Sequence, residues 1–311
     1  MINSFAQILE EVRRQPRRKL ALANAVSASA LQAAVRARDE DMAESLLFGA
    51  RAEIERLAAE NHLDLSGLEI ADVPDELEAA RQAVAAVREG RADLLMKGLI
   101  HSDDFLRALL DKEVGLRSGA LMSHIFLLEL PDRLLLITDG AMNIAPDLVT
   151  KAAIVLNAVY LANLLGNPRP KVGILAATEL VNPAMGATLD AAVLATMARR
   201  GQFPDCEVDG PFALDNAVSV EAARLKKIPG DVAGHCDILL APDIEAGNAL
   251  AKAYSFLAGG RVAGVLVGAA APVVLTSRAD SDEAMMLSIA TAVLMAQIVR
   301  NSRLKIGKIH C

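Results

Sequence analysis

The chain has 311 residues, room for two ordinary α/β domains, and a net charge of −7 that argues against broad electrostatic attraction to nucleic acid. Hydrophobic residues make up 53% and aromatics only 3%, with no Trp, so the core has to be built from Ala, Leu, Val and Ile. Cys206, Cys236 and Cys311 show no CxxC spacing, no leader pattern opens the chain at Met1-Ile2-Asn3-Ser4-Phe5, and no apolar run is long enough to span a bilayer, so a cytoplasmic protein without membrane partners is expected.

Short apolar runs alternate with helix-period segments, the pattern of an α/β protein with a mostly parallel sheet. Leu20–Ala23 reads as a strand followed by a helix to about Asp39. Ser45–Gly49 is a second strand, with a helix over Arg51–Glu60. Leu68–Val73 is a third, and Pro74 introduces a helix over Asp75–Glu89. Asp93–Met96 is a fourth strand, ending at Lys97-Gly98. Ser123–Leu130 and Arg133–Thr138, separated by Pro131-Asp132, predict a hairpin. A long helix is expected over Ile144–Leu165, with further strands at Lys171–Ala176, Cys206–Val208, Ile238–Ala241, Val262–Val267 and Val273–Leu275. A last helix covers Ala284–Val299. The expected division is 1–137 plus 273–311 as one α/β domain and 138–272 as a second.

Polar clusters recur at the expected strand ends, where open α/β sheets gather their ligands. After Val273–Leu275 comes Thr276-Ser277-Arg278-Ala279-Asp280-Ser281-Asp282-Glu283. Hydroxyl, guanidinium and helix N-terminus together suit an anion. The same residues also read as an ordinary connection in which Asp280 or Ser281 is the N-cap and Glu283 completes a capping box. Lys97, His101, Ser102 and Arg107 form a second cluster, in which Ser102 caps a helix through Asp111 and the cations can converge on an anion. Others are Thr138-Asp139-Gly140-Ala141-Met142-Asn143, Thr178-Glu179, and Pro242-Asp243 running to Gly247-Asn248. GxGxxG, GxxxxGK[ST], GxSxG and HExxH are all absent, and His62, His124, His235 and His310 read as structural.

Taken in order, these clusters resemble the phosphate acetyltransferase and phosphate butyryltransferase family. The resemblance runs from about Asp93 to Val299 through Lys97-Gly98, Leu106-Arg107, Val114-Gly115-Leu116-Arg117, Thr138–Asn143, Asp209-Gly210-Pro211, Leu214–Ala217, Val232-Ala233-Gly234, Pro242–Asn248 and Leu275–Ser281. The Thr138–Asp147 and Leu275–Ser281 runs are most similar to the butyryl branch, with phosphate acetyltransferase the alternative. The resemblance implies acyl-CoA + phosphate ⇌ acyl phosphate + CoA by direct transfer, without metal or organic cofactor. It implies two α/β domains around a cleft, similar to isocitrate and isopropylmalate dehydrogenases, and a homodimer or larger homo-oligomer.

By the same resemblance Ser277, Arg278 and Asp280 are catalytic candidates. Arg107, Lys97, His101, Ser102, Thr138, Asp139, Asn143, Asn248 and Asp282 are substrate-binding candidates. Two positions depart from the family pattern. Ala284 stands where acetyltransferases place a catalytic carboxylate, so a base would have to come from Asp280 or Asp282. His235 stands where the family usually has Lys. The rivals are a nicotinamide-dependent decarboxylating dehydrogenase and a non-catalytic acyl-CoA or acyl phosphate binder. The first would show metal-dependent activity, the second binding without turnover.

Overall fold

The computed structural model describes residues 1–277, 279–301 and 306–308, so Arg278 lies outside the described residues, as do Cys311 and His310. The chain is a mixed α/β protein that divides into two compact units. One contains Phe5–Ala120 and residues 263–301, the other Met1–Ser4, Leu121–Val262 and residues 306–308.

The first unit starts with helix α1 (Phe5–Arg13), which the strand-and-helix reading above does not contain. Its Phe5, Ile8 and Val12 fall on one face and are buried, a helical period carried by only three residues. There follow β1 (Arg18–Ala23), α2 (Ala28–Asp39), β2 (Ala43–Gly49), α3 (Arg51–Glu60), β3 (Glu69–Asp72), α4 (Glu76–Arg88), β4 (Leu94–Lys97) and α5 (Ser102–Leu109). Asp75, rather than Pro74, starts α4, because its side chain caps Glu78 N–H at 2.8 Å.

The chain then enters the second unit with β5 (Ser123–Glu129) and β6 (Leu134–Thr138), the antiparallel hairpin expected around Pro131-Asp132. Helix α6 (Leu148–Leu164) begins four residues later than the sequence pattern suggests. Asp147 is its N-cap, accepting from Thr150 N–H at 2.8 Å, and residues 144–146 remain loop. β7 (Lys171–Leu175), α7 (Gly186–Arg199), β8 (Glu207–Phe212), α8 (Leu214–Val218), α9 (Val220–Leu225), β9 (Ile238–Leu240) and α10 (Ile244–Lys252) follow, and a π-helical turn at Ala253–Leu257 ends the series. The return to the first unit brings β10 (Val262–Val267), β11 (Val273–Val274) and α11 (Asp282–Asn301).

Strands of the first unit lie in the order β3-β2-β1-β4-β11-β10, parallel except for the antiparallel β10–β11 pair. Those of the second lie as β5-β6-β9-β7-β8, parallel except for the hairpin. Ala21, Leu22, Leu94, Leu95, Val273 and Val274 are inaccessible, as expected of strands covered on both faces. With so few aromatics, helices approach through small side chains: Ala30, Ala33, Ala34 and Ala37 of α2, and Ala79, Ala80, Ala83 and Ala86 of α4, are buried. In α6, Ala152, Ile154, Val155, Asn157, Ala158 and Leu161 are all buried, so apolar and small residues are enclosed on more than one side.

Candidate active site

In the first unit, parallel pairing sets the carboxyl ends of three strands side by side. Ala23 of β1 is level with Lys97 of β4, and Met96 with Val274 of β11. The chain therefore leaves β11 as Leu275-Thr276-Ser277 at the edge where β4 ends in Lys97-Gly98. Helices α2, α5 and α11 each follow one of these strands, so their N-termini start from that edge, the positive end of each dipole. The N-caps of α2 (Ser27) and α5 (His101) make no side-chain cap bond, which leaves first-turn N–H groups to other acceptors.

The Lys97–Ile100 loop is locked to β1. Gly98 N–H donates to Ala23 O and Leu99 N–H to Asn24 O, both at 2.9 Å. A Cβ on Gly98 would stand 2.3 Å from Asn24 O, so only glycine allows this approach. Lys97 is buried, and its Nζ donates to Ile100 O at 3.0 Å and Gly98 O at 3.4 Å. Burying an ammonium demands such acceptors. His101 and Ser102 are exposed at the start of α5, where His101 occupies the cap position expected for Ser102, and the helix stops at Leu109. Arg107 turns outward: its side chain is 75% exposed, with NH1 2.9 Å from Asp104 Oδ1. Arg107, expected to converge with Lys97 and His101 on an anion, here makes a solvent-facing pair with Asp104.

Ser277 is exposed, next to buried Thr276. Its N–H donates to Asp280 Oδ2 at 2.7 Å, and its Oγ accepts from Ala279 N–H at 3.3 Å. Asp280 N–H returns to Ser277 O at 3.2 Å. Ser281, not Asp280, caps α11: Oγ accepts from Ala284 N–H at 3.1 Å, and its C=O from Met285 N–H at 3.0 Å. Asp282 pairs with Arg36 of α2 (NH1–Oδ2 3.1 Å), which ties α11 to its neighbour.

In the second unit, Thr138, Asp139, Asn143 and Asn248 form one cluster. Asp139 is buried, and its carboxylate accepts from the N–H groups of Ala141 and Met142 (both 2.9 Å), His124 (3.2 Å) and Asn143 (3.3 Å), and from Asn143 Nδ2 (2.6 Å). Asn143 Nδ2 also donates to Met122 O at 3.0 Å, Thr138 Oγ1 to His124 O at 3.0 Å, and Asn248 Nδ2 to Gly140 O at 2.9 Å. Gly247 lets α10 close on this turn, since a Cβ there would stand 2.3 Å from Asp139 O. These side chains hold the turn against β5 and α10.

Beyond β7, buried Asn216 donates to Glu179 Oε2 at 3.2 Å, and Lys226 lies 3.3 Å from Glu179 and 3.1 Å from Asp215. The hydrogen bond from Lys226 holds the Asp215 carboxyl below its ordinary range. Sequence reading did not single out Asn24 or Lys226. Asn24, at a positive φ of 52° directly after β1, carried a usable signal, whereas Lys226 did not. Cys206 and Cys236 are free thiols, both pushed up to about 12 chiefly by burial, so neither is a nucleophile near neutral pH. Among the described residues no group of three His, Cys, Asp or Glu stands close enough to hold a metal ion.

A family model described as "Phosphate acetyl/butaryl transferase" matches residues 75–293, more than half of the chain. The chain belongs to this family. A phosphate butyryltransferase of Clostridium beijerinckii is 45% identical over 298 residues, covering 95% of this chain and 99% of that protein. A phosphate acetyltransferase of Thermotoga maritima is also 45% identical, over 94% of this chain and 100% of its own length. The crystal structure of a branched-chain phosphotransacylase from Enterococcus faecalis V583 superimposes with a TM-score of 0.80 at 33% identity, covering 90% of this chain and 99% of that one. Against this phosphate acyltransferase background, Ala284 occupies the third helical position of α11, half-buried, with its N–H given to Ser281. His235 is exposed, just after Gly234, whose N–H donates to Asn216 O at 2.8 Å.

Proposed function

We propose that this acyltransferase catalyses acyl-CoA + phosphate ⇌ acyl phosphate + CoA on short-chain acyl groups, butyryl foremost, by direct transfer in a ternary complex. The observation that carries the reading is the position of Ser277, exposed at the carboxyl edge shared by β11 and β4, where first-turn N–H groups and Lys97-Gly98 also lie. A hydrogen phosphate oxygen attacks the thioester carbonyl, the new C–O bond forms as C–S breaks, and the phosphate proton ends on the CoA sulfur. Ser277 Oγ–H stabilises the oxyanion, and Arg278 with Arg107 holds the phosphate by charge-assisted bonds. Arg107 is free to exchange partners, because an exposed i,i+3 pair such as Arg107–Asp104 is worth only about 0.2–0.5 kcal/mol. Lys97, His101 and Ser102 support the phosphate side, while Thr138, Asp139, Asn143 and Asn248 shape the substrate's surroundings from a rigid turn. Asp282 belongs to the substrate-binding set and also pairs with Arg36.

The reading includes a fold of the isocitrate and isopropylmalate dehydrogenase kind, the domain division 1–137 plus 273–311 against 138–272, a homodimer or larger homo-oligomer, a cytoplasmic site of action and no metal or organic cofactor. No helix among the described residues is long and apolar enough to cross a membrane.

The test is phosphate-dependent release of free CoA from butyryl-CoA and acetyl-CoA, followed with a thiol reagent. Faster release from butyryl-CoA is expected, and Arg278→Ala should cost several kcal/mol of transition-state stabilisation. A faster acetyl reaction would move the enzyme to the acetyl branch. Near-normal turnover in R278A would remove Arg278 from the mechanism.

A further inference from the structure

The two carboxylates nearest Ser277 in sequence are both committed to the fold. Asp282 bridges α11 to Arg36 of α2. Asp280 accepts the Ser277 N–H at 2.7 Å, the shortest bond of the turn, while Ser277 O accepts the Asp280 N–H at 3.2 Å. This reciprocal pair closes the chain over Ala279, whose N–H meets Ser277 Oγ at 3.3 Å. The hydroxyl thus spends a lone pair on the turn and retains its O–H for a ligand. A proton acceptor in Asp280's place would work against itself. Protonation turns a charge-assisted bond into an ordinary one, roughly halving its strength, and would loosen the Ser277 turn during the step that needs it fixed.

We infer that Asp280 is a positioning residue: its carboxylate sets the Ser277 hydroxyl for the oxyanion and does not take the CoA thiol proton. The inference deepens, and rests on, the phosphate acyltransferase reading. The reaction balances without a side-chain acceptor. In the thioester-forming direction the thiol sulfur bonds to the acyl carbon, the acyl C–O bond breaks, and the thiol proton leaves on the released hydrogen phosphate.

Asn has the same shape as Asp and keeps an oxygen acceptor, but it is not a base. The experiment compares wild type, Asp280→Asn and Asp280→Ala in the thioester-forming direction across pH. It also records amide exchange at Ser277 by NMR. D280A should lower kcat about 100-fold with little change in the KM for CoA, the scale expected of a displaced catalytic group. D280N, which keeps the acceptor but not its charge, should recover part of that loss and keep the wild-type acid limb of the pH–rate curve. Ser277 N–H exchange should be slow in wild type, intermediate in D280N and fast in D280A. If D280N is as slow as D280A and the acid limb vanishes, Asp280 is the base and the inference is wrong. If D280A keeps the wild-type rate and a protected Ser277 amide, the turn does not depend on Asp280 and the inference is equally wrong. An inactive wild type would count against the acyltransferase reading alone, and amide exchange would still decide whether Asp280 holds Ser277.

Discussion

The turn after β11 and the turn after β6 are built from similar parts and serve different ends. Each follows a strand, each includes an aspartate whose carboxylate accepts backbone N–H from its own turn, and each leads towards a helix. Asp139 is sealed from solvent with five N–H donors around its carboxylate, and neighbouring Asn143 and Asn248 spend their amides on Met122 O and Gly140 O. Asp280 is half-exposed, with the Ser277 N–H on one oxygen, and Ser277 beside it faces solvent. The first arrangement maximises satisfied buried polarity, which gives rigidity. The second holds one hydroxyl at a strand end with little enclosure, which gives access. A strand-end cluster therefore reads as scaffold or as reactive edge according to how many of its polar groups remain for a ligand.

Removing the scaffold carboxylate should break this contrast most severely. Asp139→Ala leaves the buried His124 N–H and the half-buried N–H groups of Ala141, Met142 and Asn143 without this acceptor, and should destabilise the protein by about 3–5 kcal/mol in urea unfolding. A cost below about 1 kcal/mol would show that the turn does not depend on its carboxylate. Gly247→Ala tests the same turn from α10: the added methyl meets Asp139 O and should cost about 1–3 kcal/mol. The smallest effect concerns Cys236. Its folded-state value of about 12 lies above the ordinary thiol value near 8.5, so the neutral thiol's contribution is fully present below about pH 8.5. That contribution is lost as pH rises towards 12, because the unfolded thiol ionises first. Cys236→Ala should flatten the fall of stability above pH 9 and leave turnover within about twofold at neutral pH, where a buried thiol is un-ionised. A large loss of turnover would instead point to a cysteinyl intermediate.

Local signals carried most of the fold. The pattern at Arg51–Glu60 is a helix with those bounds, Pro131-Asp132 marks the hairpin, and the run ending at Lys97 is β4. What escaped is long-range or depends on competition between neighbours. Pro146 looks like a first-turn residue, but Asp147 wins the cap through its bond to Thr150, and α6 starts after it. Asp280 and Ser281 are equally good caps by residue type. Ser281 takes the helix because Asp280 is already engaged by Ser277. Arg36 and Asp282, 246 residues apart, form a pair that no local spacing encodes. At the carboxyl edge of β4 and β11, Ser277 and Lys97-Gly98 were legible as strand-end residues, whereas the outward turn of Arg107 was not, since an arginine in the last turn of α5 can face either way.

The most direct test of the central claim, that acyl transfer occurs at the exposed edge rather than on the buried turn, is the rate of phosphate-dependent CoA release in Ser277→Ala set beside its melting temperature. Loss of the hydroxyl should lower kcat about 100- to 1,000-fold, the scale of one oxyanion donor, and leave the melting temperature within a few degrees of wild type. A Ser277→Ala enzyme that turns over at the wild-type rate would contradict the account.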